Sequence, residues 1–187
     1  RYVNMADINR TSEAHSVAQT ARLTAKAEQT SPAETPHELI ELFFFAYRDF
    51  VGGPDRILAE YDFGRAHHRV LHFVDRNPGL TIAELLDILK ITKQSLNRVL
   101  KELVDKRFIE VRTGVNDRRQ RLLHTSATGS DLARRLARLQ GERILKALAG
   151  TGAGAEETVR AYLMGLVDES ERGLVAGLLR AGKDQNR

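Results

Sequence analysis

The amino-acid sequence predicts a mainly α-helical fold with one small β-hairpin. Several segments repeat apolar residues at three- and four-residue spacing, as amphipathic helices do, and two strand-like segments flank a polar turn. Hydrophobic residues make up 42% and charged residues 29% of the chain, which is typical of a globular protein. Since no apolar run approaches the roughly 20 residues that cross a bilayer and no secretory signal opens the sequence, we expect a cytoplasmic protein without a membrane segment.

The composition argues against several kinds of catalytic site. The chain has no cysteine, so disulfides, thiolate metal sites and thiol nucleophiles are excluded. Its serines and histidines form no nucleophile elbow or metal-hydrolase pattern, and no phosphate-binding glycine loop precedes a predicted helix. We therefore predict that the protein is not an enzyme and uses no cofactor.

The N-terminal part combines a polar segment with a strongly apolar helix. Residues 1–34 have few large apolar side chains, so we predict a flexible arm. The next helix begins at Thr35-Pro36 and is expected to end at Gly52-Gly53. Because its apolar residues surround nearly the whole cylinder, we expect burial on several sides. Two interpretations remain open, namely a contact with a second subunit and a central helix in a monomeric core.

Further helices are predicted on both sides of the hairpin. A short helical stretch over residues 54–61 leads to a helix over residues 64–76, and two helices follow from Ser126 and from about residue 155 to residue 181. The apolar line of the helix over residues 64–76 consists of Phe63, Ala66, Val70, Leu71 and Val74. The last two helices carry leucine-rich seams, which favour pairing with other helices.

Residues 81–105 indicate two short helices that cross steeply. Thr81 to Glu84 form a capping box at the start of the first helix, and Thr92 caps the second. Because only Lys90-Ile91-Thr92 connects them, they have the geometry of a helix-turn-helix. The predicted buried stripe of the second helix is Leu96, Val99, Leu100, Leu103 and Val104.

The outward face of the second helix suggests DNA recognition. Its N-terminal residues would enter the major groove, with Thr92 and Ser95 near phosphate. The amides of Gln94 and Asn97 suit adenine, whereas Arg98 and Lys101 suit guanine or phosphate. The full outward set is Lys93, Gln94, Ser95, Asn97, Arg98 and Lys101. A merely solvated charged face is the alternative.

The hairpin that follows has a basic tip. Residues 108–112 and 121–125 flank a polar turn, and the stretch from Lys90 to Arg121 contains ten basic and four acidic residues. Arg118 and Arg119 could reach a minor groove, where the negative potential is strong. Asp117 would orient Arg119 through a hydrogen bond; the alternative is an exposed ion pair between Asp117 and these arginines.

The sequence resembles the MarR family of bacterial transcription regulators over residues 35–181. The motifs that carry the resemblance are Leu80-Thr81-Ile82-Ala83-Glu84-Leu85, Ile91-Thr92-Lys93-Gln94-Ser95-Leu96-Asn97-Arg98-Val99-Leu100, Asp117-Arg118-Arg119 and Ser126-Ala127-Thr128-Gly129. The resemblance implies a homodimer whose two winged helix-turn-helix lobes straddle a pseudo-palindrome. Two positions depart from the family pattern: Arg107 stands in place of the usual glycine, and Thr125 replaces the usual leucine.

The resemblance also implies a division of the chain and a small-molecule site. The predicted segments are a flexible arm (residues 1–34), N-terminal dimerisation helices (35–63), a DNA-binding region (64–126) and C-terminal dimerisation helices (127–187). A small anionic or aromatic effector would contact Tyr47, Arg48, His67 and His68. A separate cluster of His68, His72 and Asp75 has spacing that could hold a metal, but an ordinary polar flank explains it as well, and we predict no metal.

These observations predict a sequence-specific regulator that binds double-stranded DNA as a homodimer and represses transcription until an effector releases it. Two alternatives remain open. The first is an architectural DNA-binding protein with low sequence specificity, and the second is a winged helix that contacts another protein.

Overall fold

The described residues fold as helices around one small antiparallel sheet. The structure is a computed structural model and describes residues 35–114 and 117–184. The predicted arm, residues 1–34, and two residues of the predicted hairpin tip, Val115 and Asn116, lie outside the described residues. In chain order the elements are α1 (His37–Ala59), α2 (Arg65–Arg76), β1 (Leu80–Thr81), α3 (Ile82–Leu89), α4 (Lys93–Asp105), β2 (Ile109–Thr113), β3 (Arg121–Thr125), α5 (Ala127–Ala149), α6 (Ala155–Leu166) and α7 (Arg172–Asp184).

The chain divides into two compact units, Arg1–Phe43 and Phe44–Arg187. In the first unit the described residues contain the beginning of α1, where Leu39, Ile40, Leu42 and Phe43 are exposed. The second unit holds the remaining elements, and no helix among the described residues of the chain is long and apolar enough to cross a membrane. The predicted fold class, mainly helical with a small β wing, is confirmed.

The first helix continues beyond its predicted end, so the prediction of a stop at Gly52-Gly53 was wrong. The helix runs on to Ala59 with Pro54 inside it. Proline lacks the backbone N–H that a helix interior uses, and glycine has low helix propensity. These local costs are offset by packing, because Val51, Pro54, Ile57 and Leu58 are all buried.

The core of the second unit gathers around α2. This helix contacts α4, α5 and β3, and its Val70, Leu71 and Val74 are fully buried. From α4, Leu96, Val99, Leu100 and Leu103 join the core as predicted, but Val104 is 37% exposed. The prediction for Val104 was wrong because it lies about 100° further around the helix than Leu103, outside the packed arc.

The predicted hairpin is part of a three-stranded sheet. Strands β2 and β3 pair antiparallel with Ile109 opposite Thr125, and the two-residue strand β1 pairs along the other edge of β3, giving the order β1-β3-β2. A strand of two residues is too short for an alternating pattern, so the sequence did not reveal β1.

The departure at Arg107 coincides with a left-handed backbone position. Arg107 has φ 61°, just after the end of α4. Its N–H donates to Val104 O at 2.9 Å, and the N–H of Phe108 donates to Leu103 O at 2.8 Å. This pair of bonds is a Schellman motif, in which glycine usually occupies the left-handed position. The motif forms here with arginine because Phe108 and Leu103 are both buried in the core.

Candidate nucleic-acid interface

Two capped helices build the helix-turn-helix. At the start of α3, Thr81 Oγ1 accepts the Glu84 N–H at 3.2 Å, while the Thr81 N–H donates to Glu84 Oε2 at 2.8 Å. At its end, Lys90 adopts a left-handed φ of 50° and its N–H donates to Leu86 O at 2.9 Å. The chain therefore turns sharply and α4 starts after only two more residues, as the sequence predicted.

The N-terminus of α4 points toward solvent. Thr92 Oγ1 accepts the Ser95 N–H at 3.2 Å and donates to Ser95 Oγ at 2.9 Å. The positive end of the helix dipole and the unpaired N–H groups of this first turn favour an anion. The predicted contact residues of this helix are all exposed: Thr92, Lys93, Gln94, Ser95, Asn97, Arg98 and Lys101.

One of these cations already has an intramolecular partner. Lys101 Nζ lies 2.5 Å from Asp105 Oδ2, and this hydrogen bond raises the pKa of Lys101. The ion pairs formed within the described residues do not include Lys93 or Arg98. The cationic groups without an ion-pair partner thus lie toward the N-terminal half of α4.

The tip of the hairpin is held by Asp117. Asp117 Oδ1 accepts the backbone N–H of Arg119 at 2.9 Å, and Asp117 O accepts the Gln120 N–H at 3.0 Å. The side chain of Asp117 thus holds the backbone of Arg119 and not its guanidinium. Arg118 and Arg119 are exposed, and neither forms an ion pair with another described residue.

A cavity of about 380 Å³ lies between α1, α2 and α5. It is lined by Tyr47, Phe50, Val51, Arg65, His68, Arg69, His72, Phe73 and Gln140. Of the four residues predicted to contact an effector, Tyr47 and His68 line this cavity. Arg48 pairs with Asp49 at 2.9 Å, and His67 faces α4, where its Nε2 lies 2.8 Å from Glu102 Oε2.

The cavity combines neutral imidazoles with arginines. Burial lowers the pKa of His68 and, to a smaller extent, so does neighbouring His72; burial also lowers the pKa of His72, assisted by Arg76. Arg65 pairs with Asp55 at 2.9 Å. The predicted effector contacts did not include Arg65, Arg69, His72 or Gln140, which also line the cavity. The first three share a helix face with His68, which is a usable signal, but Gln140 comes from a distant helix.

In the cluster of His68, His72 and Asp75 on α2, the carboxylate of Asp75 has a structural partner. Asp75 Oδ1 accepts a hydrogen bond from Thr125 Oγ1 at 3.0 Å, which gives the unusual Thr125 a partner. Among the described residues no group of three or more histidine, aspartate or glutamate side chains could hold a metal ion.

Comparisons with known proteins agree with this geometry. Residues 61–120 match the MarR family. The chain is 46% identical over 133 residues to the HTH-type transcriptional regulator PetP of Rhodobacter capsulatus, a match that covers 71% of this chain and 80% of PetP.

Two solved structures share the fold. Streptococcus pneumoniae FabT in complex with DNA has a TM-score of 0.63 at 18% identity and covers 71% of this chain and 94% of FabT. The reduced form of MarR from E. coli has a TM-score of 0.53 at 21% identity and covers 72% of this chain and 97% of MarR.

Proposed function

The chain belongs to the MarR family of transcription regulators, which bind DNA and are not enzymes, and from this premise we propose how it recognises its operator. A homodimer binds a pseudo-palindromic duplex, with α4 of each subunit in the major groove and the β2–β3 wing in the adjoining minor groove. The observation that carries this proposal is the exposed, cationic N-terminal half of α4, whose opposite face is fixed in the core.

Base recognition is assigned to the outward residues of α4. Gln94 and Asn97 present a donor and an acceptor that match the edge of adenine, and Arg98 matches guanine. The amides of the first turn, with Thr92 and Ser95, contact phosphate and set the register. Lys93 and Lys101 add sequence-independent attraction to phosphate, although the charge of Lys101 is partly neutralised by its ion pair with Asp105.

The wing contributes mainly to affinity. Asp117 holds the backbone at Arg119 through a hydrogen bond. Because neither Arg118 nor Arg119 has an ion-pair partner among the described residues, a guanidinium can enter the narrow groove without first breaking an ion pair. Contact between β2 and α4 supports a defined position of the wing beside the recognition helix.

Dimerisation uses the segments that flank the DNA-binding region, residues 35–63 and 127–187. Supporting this, α6 has no buried residue although it carries an apolar stripe of Val159, Tyr162, Leu163 and Leu166. A two-fold dimer would hold its recognition helices about 34 to 36 Å apart, one turn of duplex. Occupying the operator in this way blocks other proteins from the same duplex, and the regulator thereby acts as a repressor.

Release by a small anionic or aromatic effector is assigned to the cavity between α1, α2 and α5. Its Tyr47 and Phe50 offer aromatic contact and Arg69 offers positive charge, while Arg65 is paired with Asp55. Because α2 contacts both α4 and α5, a ligand that shifts α2 would change the position of the recognition helix.

Selection of bound duplexes from a random pool tests the DNA-binding proposal. We expect a palindromic consensus and, with ~8 phosphates neutralised per dimer, a slope of log affinity against log salt near −7. Arg119→Ala should weaken binding to all duplexes, whereas Asn97→Ala or Arg98→Ala should change the preferred sequence. Arg138→Ala on α5 is the matched control, since it removes an exposed arginine outside α4 and the wing; sedimentation of this variant checks that the dimer is retained.

Three results would contradict parts of this proposal. A ratio near one between selected and random duplexes would identify an architectural protein with low specificity. Binding of no duplex would favour a protein partner for the winged helix. If Arg119→Ala binds duplex DNA with unchanged affinity, the wing is not part of the interface.

A further inference from the structure

His67 is a residue of α2, and its side chain faces the C-terminal half of α4. It lies outside the cavity that the neighbouring His68 lines. Its side chain is 11% exposed. Nδ1 accepts the Gly64 N–H at 3.1 Å, and Nε2 lies 2.8 Å from Glu102 Oε2. Since Nδ1 is the acceptor, the proton of a neutral ring is on Nε2 and is donated to the Glu102 carboxylate. His67 therefore joins the first residues of α2 to a residue of α4.

The imidazole cannot turn freely in this position. The ring of Phe63 stacks on it with 4.6 Å between centroids, and Phe108 packs edge-on against Phe63 at 5.1 Å. The ring and both of its hydrogen bonds are thus fixed by the core. Glu102, whose side chain is 41% exposed, gains a directional contact that its solvent-facing position would not otherwise supply.

A second contact holds the same part of α4. Lys106 Nζ donates to Tyr61 O at 2.5 Å and lies 5.0 Å from the centre of the Phe63 ring. The first contact joins α4 to α2, and the second joins the residue that follows α4 to the segment between α1 and α2. Buried apolar residues fix how close α4 lies to the core, but polar contacts with defined directions on its side restrict rotation about its own axis.

We propose that His67 is a positioning residue for DNA binding, which through Glu102 sets the rotation of α4 and so the direction in which Asn97 and Arg98 enter the groove. The inference rests on the proposed role of α4. Base-edge hydrogen bonds need side chains held within about 0.5 Å and 10–20° of their productive geometry. Contacts between flexible arginine side chains and phosphate tolerate larger deviations in position and angle. Loss of the His67–Glu102 bond should therefore reduce sequence discrimination more than general attraction to DNA.

A comparison of Glu102→Ala with Glu102→Gln tests this role at constant charge. The glutamine oxygen can still accept the His67 Nε2–H, whereas alanine cannot. We expect Glu102→Ala to bind the selected duplex about tenfold more weakly than Glu102→Gln, with equal affinity for random duplex and equal salt slope. If Glu102→Ala loses the same affinity for the selected and the random duplex, the role of the bond is merely structural. If it binds both duplexes as tightly as Glu102→Gln, the bond does not position α4.

Two substitutions of His67 separate its two hydrogen bonds. In His67→Asn, the side-chain oxygen can replace Nδ1 and accept the Gly64 N–H but cannot reach Glu102. In His67→Gln, the longer amide can reach Glu102 and leaves Gly64 without its acceptor. We expect His67→Asn, like Glu102→Ala, to lose discrimination between the selected and the random duplex. We expect His67→Gln to keep this discrimination despite a lower melting temperature. The reverse order would overturn the proposal.

Arg98→Ala distinguishes a failure of this inference from a failure of the proposed interface. If Arg98→Ala leaves the sequence preference unchanged, the role of α4 in base recognition is wrong, and the positioning role with it. If Arg98→Ala changes the preference while Glu102→Ala and Glu102→Gln behave alike, the interface stands and the role of His67 fails.

Discussion

At the scale of single residues, Gly129 determines how closely α5 approaches the sheet. Ser126 Oγ caps α5 by accepting the Gly129 N–H at 3.1 Å and donates to Arg107 O at 2.7 Å. A Cβ at position 129 would overlap the Phe108 carbonyl, which is backbone and cannot turn aside. We expect Gly129→Ala to lower the free energy of unfolding by about 3 kcal/mol, measured by urea denaturation.

Gly141 provides the control on the same helix. A Cβ at position 141 meets no atom within 4 Å, so Gly141→Ala should raise the free energy of unfolding by up to about 1 kcal/mol through helix propensity. Equal effects of the two substitutions would mean that α5 does not pack on Phe108 as described.

At the scale of elements, two adjacent residues of α2 face different surroundings. His67 faces α4, while His68 faces the cavity together with Arg65, Arg69 and His72. Burial lowers the pKa of both cavity histidines, so at neutral pH the positive charge near the cavity comes from the arginines. We expect an anionic aromatic compound that binds there to raise the melting temperature and to weaken operator binding.

Arg69→Ala should remove both effects of such a compound, as followed by thermal unfolding and by titration of labelled duplex. Arg48→Ala is the control: Arg48 pairs with Asp49 and does not line the cavity, so the response should persist. An effect of Arg48→Ala as large as that of Arg69→Ala would move the effector site elsewhere.

At the scale of the whole molecule, the exposed apolar side chains of the second unit require a partner. On α6, Tyr162, Leu163 and Leu166 are 50%, 49% and 58% exposed, and on α5 Leu145 is 67% exposed. Exposed apolar patches of this kind mark interaction surfaces. We expect Leu163→Asp with Leu166→Asp to give monomers in sedimentation experiments, because each buries a charge at the proposed dimer contact.

Monomers should also bind the palindrome at least about a hundredfold more weakly than the dimer, since the second half-site no longer benefits from effective concentration. Glu157→Ala, on the exposed polar side of the same helix, should leave both the dimer and the affinity unchanged. A dimer that survives both aspartate substitutions would place the subunit contact outside α6.

The sequence alone determined the helix-turn-helix and its outward face. The signals there are local: Thr81 and Thr92 cap helices through residues three positions away, and apolar spacing defines the buried side of α4. Interactions within one helical turn can be inferred from neighbouring residues. The strands β2 and β3 were likewise predicted from local sequence patterns, with small errors at the ends.

Tertiary structure decided the features whose partners are distant in the chain. Burial of Ile57 and Leu58 carries α1 through Gly52, Gly53 and Pro54, against local propensity. The direction of His67 depends on Glu102, 35 residues away, and the cavity depends on where α5 brings Gln140. Side chains on adjacent positions of one helix can face different surroundings, and the packing of the neighbouring elements alone determines which residues they contact.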